Sequence, residues 1–170
     1  MKSAKINIYK NLVLAEIDAQ TFKRVDGILS AESDQVKNAV SSDAEEALDM
    51  NILHSYMEKR DAMIRKRLTF CLADDMDEDL TATNELEKDV ETFDYDLNVP
   101  DTFNKAKLKI AAKAIHDYIV QGTICDWYVL QNMKGNVSAE ELEAKADEIV
   151  CMFRASFAKR PLQPFGPKYK

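Results

Sequence analysis

Apolar residues recur every three or four positions along most of this 170-residue chain, the period of helices with one covered face. A short piece, "KINIY", comes first and predicts an extended segment. From Asn11, a residue type that caps helices, Leu14, Ile17, Phe22, Val25 and Leu29 mark a first helix that frays around Gly27 to Ser33. Ser42 with Glu45 three residues on has the form of a capping box. The helix it opens follows Leu48, Ile52, Tyr56, Met63, Ile64, Leu68 and Leu72 to about residue 73, roughly 45 Å at 1.5 Å per residue.

The period is lost in "DDMDEDLTATNELEKDVETFDYDLNVP", which predicts an acidic loop ending in one short strand, "FDYDLNV", before Pro100. Asp101 or Thr102 then caps a helix from Phe103 to about Met133, and "KGN" ends it. On that helix Ala111, Ala112, Ile115, Tyr118, Ile119, Gly122, Cys125 and Val129 share one face, and Trp127 widens the apolar surface. It is the expected central helix, with small Gly122 admitting a close neighbour. Ser138 and Glu141 form a second capping box, with Val137 and Leu142 as a hydrophobic staple. The stripe Leu142, Ala146, Ile149, Val150, Phe153 and Phe157 packs the last helix against its predecessor. The expected core therefore centres on Ile115, Tyr118, Ile119, Gly122, Trp127 and Phe153.

These elements predict a mainly α fold: a helical bundle of about four helices with a long acidic loop or short β arm over 74–101. Residues 1–160 are expected to form one helical domain, and 161–170 an extended, Pro-rich basic tail. Pro161, Pro164 and Pro167 favour a polyproline II path that lies on another surface.

Charge adds an asymmetry that the net value of −7 conceals. Residues 1–70 carry no net charge, 71–101 carry −11 and 102–170 carry +4. A chain of this kind suits head-to-tail contact with copies of itself or with a partner; solvated loops at both places are the alternative reading. No apolar run is long enough to span a membrane, and the N-terminal stretch lacks the apolar core of a secretory signal, so the expectation is a protein made and folded in a cytosol. Cys71, Cys125 and Cys151 each sit inside an apolar helical pattern without metal-ligand spacing, and are expected to be buried, inert thiols.

Chemical signatures are sparse. His116-Asp117, with His54 before and Asp126 or Asp147 after, has the residue order of a metal-dependent phosphohydrolase, which needs all its ligands in one cavity. His54 shares a helical face with Glu58, Asp61 and Arg65, the expected solvent side, so the set is not expected to converge. In the acidic run, Asp75, Asp77 and Asp79 imitate an EF-hand loop, but Leu80 and Leu86 stand where Gly and Glu are required. No G-x-S-x-G, H-E-x-x-H, Gly-rich phosphate loop or Glu-x-x-His pair occurs. No enzyme, catalytic residue, metal or cofactor is expected. Lys105, Lys109 and Lys113 form an i, i+4, i+8 ridge that is either simply solvated or meets an external anion, such as the acidic belt of a neighbour or passing nucleic acid.

In order, "INIYKNLVLAEID", a long amphipathic helix, "DYDLNVP", "AIHDYIVQGTICDWYVLQN", a last helix and a terminal "KRPLQPF" resemble the small head–tail connector, or neck-ring adaptor, proteins of tailed bacteriophages, especially those of Bacteroidetes phages and prophages. The resemblance implies a non-enzymatic virion protein of the neck, assembled in the host cytoplasm. Such a subunit forms a homo-oligomeric ring, a dodecamer, stacked on the portal protein and bound to other neck and tail proteins. DNA passes through the lumen with only non-specific contact, and no membrane is involved. His116, Asp117, Asp126 and Trp127 then mark a structural helix. The acidic stretch from Asp74 to Glu91 departs most from the pattern. The expected interface is Lys105, Lys109, Lys113, Arg154, Lys159, Arg160, Pro161, Pro164 and Phe165. The competing reading is a cellular helical adaptor that binds a partner protein through the acidic loop or the proline tail.

Overall fold

The computed structural model describes residues 1–29, 47–73, 90–130 and 137–157. Among them are two strands, β1 (Lys2–Tyr9) and β2 (Thr92–Val99), and four helices, α1 (Lys10–Leu29), α2 (Ala47–Leu68), α3 (Lys105–Leu130) and α4 (Ala139–Phe157). The fold is mainly helical, with α3 at the centre: α1, α2, α4 and β1 all pack on it. The Ser42–Glu45 box, the acidic stretch 74–89 and the tail from Lys159 onward lie outside the described residues.

The two extended pieces pair antiparallel, in unbroken register from Lys2 opposite Val99 to Tyr9 opposite Thr92. Ile6, Ile8, Phe93, Tyr95, Leu97 and Val99 face the core, whereas Lys5, Asn7, Asp96 and Asn98 alternate outward, the pattern of a sheet covered on one side. Lys5 bridges to Asp94 at 3.4 Å and to Asp96 at 3.8 Å on the outer face.

Several boundaries differ from expectation. Helix α1 starts at Lys10, whose N–H donates to the Glu91 carbonyl at 2.9 Å, so the sheet ladder itself launches the helix and Asn11 lies within it. Helix α2 stops at Leu68, short of residue 73. The chain there turns to the free edge of β2, where Ala73 N–H donates to Asp96 O at 2.8 Å and Asn98 N–H donates to Cys71 O at 2.7 Å. Unsatisfied strand-edge groups compete successfully with another helical turn. The start of α3 is set by Asn104, whose Oδ1 accepts from Lys107 N–H at 2.8 Å, and Phe103 is buried just before the helix.

Ser138 and Glu141 do form a reciprocal box: Ser138 N–H donates to Glu141 Oε2 at 2.9 Å, and Glu141 N–H to Ser138 Oγ at 3.2 Å. Above it Val137 packs on the core and Leu142 is buried. Ile115, Tyr118, Ile119, Gly122 and Phe153 are buried, and Trp127 is half-buried against them. Val129 is the exception on its face, 72 % exposed beside the buried Tyr128. Of the three thiols Cys71 is buried, Cys125 half-buried and Cys151 exposed, so the expectation of burial fails for Cys151. It lies on the outer side of the α4 stripe. No helix among the described residues is long and apolar enough to cross a membrane.

Candidate functional site

Helix α3 is apolar enough to be enclosed, so its polar side chains are expected to find partners or face water; Thr123, whose buried Oγ1 has no hydrogen-bond partner among the described residues, is an exception. The most buried of these partners comes from α2. Leu53, Met57, Arg60, Ile64 and Leu68 are all buried, so Arg60 occupies one step of the apolar stripe of α2. Its guanidinium grips Asp126 with two hydrogen bonds, Nε to Oδ2 at 2.9 Å and Nη2 to Oδ1 at 2.8 Å, and Lys59 adds a third at 3.1 Å. Burial alone would lower the Arg60 pKa. Hydrogen bonds to Asp126 and Tyr118 and the Asp126 charge outweigh it and hold the guanidinium above its usual value. The arginine stem crosses Gly122, one helical turn before Asp126, where a Cβ would lie 2.6 Å from Arg60 Cδ.

Beside this pair Asp61 is buried, contrary to its expected place on the solvent side of α2. It accepts a short hydrogen bond from Tyr95 OH of β2 and another from Arg65 Nε at 2.6 Å. The sheet, whose packing layer periodicity does not reveal, covers that side. Burial and then the Asp61 charge push the Tyr95 phenol strongly upward, so it stays a donor.

A second polar seam joins α1 to α3. Glu16 and Gln20, one turn apart, meet His116 and Gln121. Gln121 Nε2 donates to Gln20 Oε1 at 2.8 Å, Gln20 Nε2 donates to Glu16 Oε1 at 3.0 Å, and Glu16 Oε2 lies 2.8 Å from His116 Nε2. Asp117 is close by, and Glu16, His116 and Asp117 offer ligand atoms within 4.8 Å of one another. Among the described residues no such group includes His54, Asp126 or Asp147. His54 lines a separate hollow with Tyr9, Leu14 and Val90, while Asp126 is held by Arg60 and Asp147 by Arg67 at 2.6 Å. The residues of the phosphohydrolase order are therefore dispersed.

The remaining face of α3 is open. Lys105, Lys109 and Lys113 are all exposed, and Ile110 is 58 % exposed among them. Lys109, Ile110 and Lys113 join Asp117, Lys145 and Glu148 along a groove of about 500 Å³ between α3 and α4, which Lys105 does not line. Arg154 is exposed elsewhere on α4, its guanidinium 5.3 Å from the Phe70 ring centre. Lys159, Arg160, Pro161, Pro164 and Phe165 lie outside the described residues.

Sequence reasoning missed Arg60 and Tyr95 and put Asp61 on the solvent side. A signal for Arg60 was present: a charged residue in register with an apolar stripe, and a glycine one turn before an aspartate on the partner helix. Lys145 escaped notice because the groove needs two helices to define it. Comparison with family models, curated proteins and solved structures finds no match.

Proposed function

We propose that this chain is a structural subunit of a tailed-phage virion, forming a head–tail connector or neck ring stacked on the portal. The observation that carries this reading is the division of labour on α3. His116, Gln121 and Asp126 are tied to α1 and α2. The outward lysines and Ile110 stay bare beside a groove. An exposed apolar residue framed by cations suits a protein surface of opposite charge.

A ring is built from heterologous contacts, in which one patch meets a different patch on the next copy and closure sets the number, here a dodecamer. The proposed pair of patches is the α3–α4 groove with its lysines and the acidic residues around 74–96. Arg154 and the basic tail, with Lys159, Arg160, Pro161, Pro164 and Phe165, are the proposed contacts with the portal and other neck and tail proteins. Non-specific contact with passing DNA accompanies this role, and the protein resides in the virion neck.

Charge reversal tests the groove. The variant Lys105→Glu, Lys109→Glu, Lys113→Glu should keep the wild-type melting temperature, because the three side chains are exposed, and should lose ring assembly. Undiminished rings from that variant would remove the groove from the interface.

A further inference from the structure

We infer that the outer edge of β1 is a docking strand for β1 of a second copy of this chain, the two pairing antiparallel about Ile6 into a continuous four-stranded sheet. This surface is separate from the α3–α4 groove, and the inference goes beyond the ring reading without depending on it.

The direction of the backbone groups follows from the sheet contacts. Asp96 O and Asn98 N–H bond to the 71–73 segment, so even-numbered residues of β2 point their backbone groups away from β1. Residues directly opposite in an antiparallel pair point either toward or away from each other together. The register of Lys5 opposite Asp96 and Ser3 opposite Asn98 therefore turns the N–H and C=O groups of Ser3, Lys5 and Asn7 outward. The bond from Lys10 N–H to Glu91 O fits the same parity. All three residues are exposed, as is Tyr9.

Natural edges are normally protected by brevity, proline, a bulge or a free charge. Strand β1 has eight residues, no proline and no break in register. Its central charge, Lys5, is drawn across the sheet, 3.4 Å from Asp94 and 3.8 Å from Asp96. The opposite edge of the sheet is covered by the chain's own residues 71–73, which leaves β1 as the one uncovered edge among the described residues.

Only an extended backbone matches such an edge. The proline tail does not: Pro161, Pro164 and Pro167 alternate in parity, so any register puts a missing donor against the ladder. A second β1 does match. Outward groups belong to odd-numbered residues on both copies, and the two longest symmetric registers centre on Lys5 or Ile6. Centring on Lys5 sets lysine against lysine, which is unfavourable. Centring on Ile6 sets Lys5 opposite Asn7, Ser3 opposite Tyr9 and Ala4 opposite Ile8, with no like charges and a continuous apolar inner face.

Sedimentation equilibrium of the full chain should show a dimer that grows with concentration. Lys5→Pro removes an outward N–H that the β1–β2 ladder does not use, and should weaken the dimer about tenfold or more with the circular dichroism spectrum unchanged. Should that variant misfold, cross-linking decides. In a Cys151→Ser background, Lys5→Cys mixed with Asn7→Cys should cross-link through a short bifunctional thiol reagent several-fold faster than either alone. A chain that stays monomeric at every concentration, or a dimer without that mixed-pair preference, overturns the inference.

Discussion

Arg60 and Asp126, 66 positions apart in sequence, form a two-point ion pair across α2 and α3, with each side chain at most 15 % exposed. A buried pair of this kind is costly to break from one side, since the survivor stays charged without its partner. Asp126→Ala should lower unfolding stability by about 3–5 kcal/mol in urea titrations. Arg60→Met should cost less, because it fills the stripe with apolar volume and leaves Asp126 with Lys59.

Gly122 makes that pair possible. A methyl group there would sit 2.6–2.9 Å from Arg60 Cδ, Nε and Cγ, so the stem would have to move and its fork would leave Asp126. Gly122→Ala should therefore destabilise by about 1–3 kcal/mol despite the better helix propensity of alanine. In a double-mutant cycle with Asp126→Ala the two losses should be well short of additive.

Tyr95 ties the sheet to α2 through Asp61. Tyr95→Phe keeps the ring and removes the hydroxyl, leaving the buried Asp61 with Arg65 alone. The expected cost is about 1–3 kcal/mol, that of a hydrogen bond to a charged group, measured by the same titrations.

Cys71 gives the fold a pH dependence. Burial pushes its thiol from 9.0 up to about 11. The folded state therefore holds this proton more tightly than the unfolded chain. Its contribution is fully present below pH 9 and is lost as the pH rises through 11, at up to about 1.4 kcal/mol per pH unit. Replacing the thiol by Cys71→Val should flatten that segment of the stability curve relative to wild type, read from urea titrations at a series of pH values.

The helices were legible because each carries a stripe at helical spacing, and the Ser138–Glu141 box was legible because its chemistry is local. Strands β1 and β2 lie about 90 positions apart, and nothing in either one specifies the other. With the pairing unread, the early stop of α2 at Leu68 and the burial of Asp61 were also unreadable, since the sheet causes both. The polar side chains of α3 divide the same way. Their identity is plain in "AIHDYIVQGTICDW", but whether Asp126 is a ligand or a structural counter-ion depends on Arg60, which only the fold brings to it. The lysine ridge was visible as periodicity, whereas its continuation through Lys145 depends on how α4 lies on α3.

The proposed connector role is tested most directly by mixing the purified chain with the portal protein encoded in the same genome and imaging the product by electron microscopy. The expected product is a ring of this subunit stacked on the portal, with the α3–α4 groove at the contact between neighbouring copies. Portal rings that remain bare at saturating amounts of the folded chain would contradict that role.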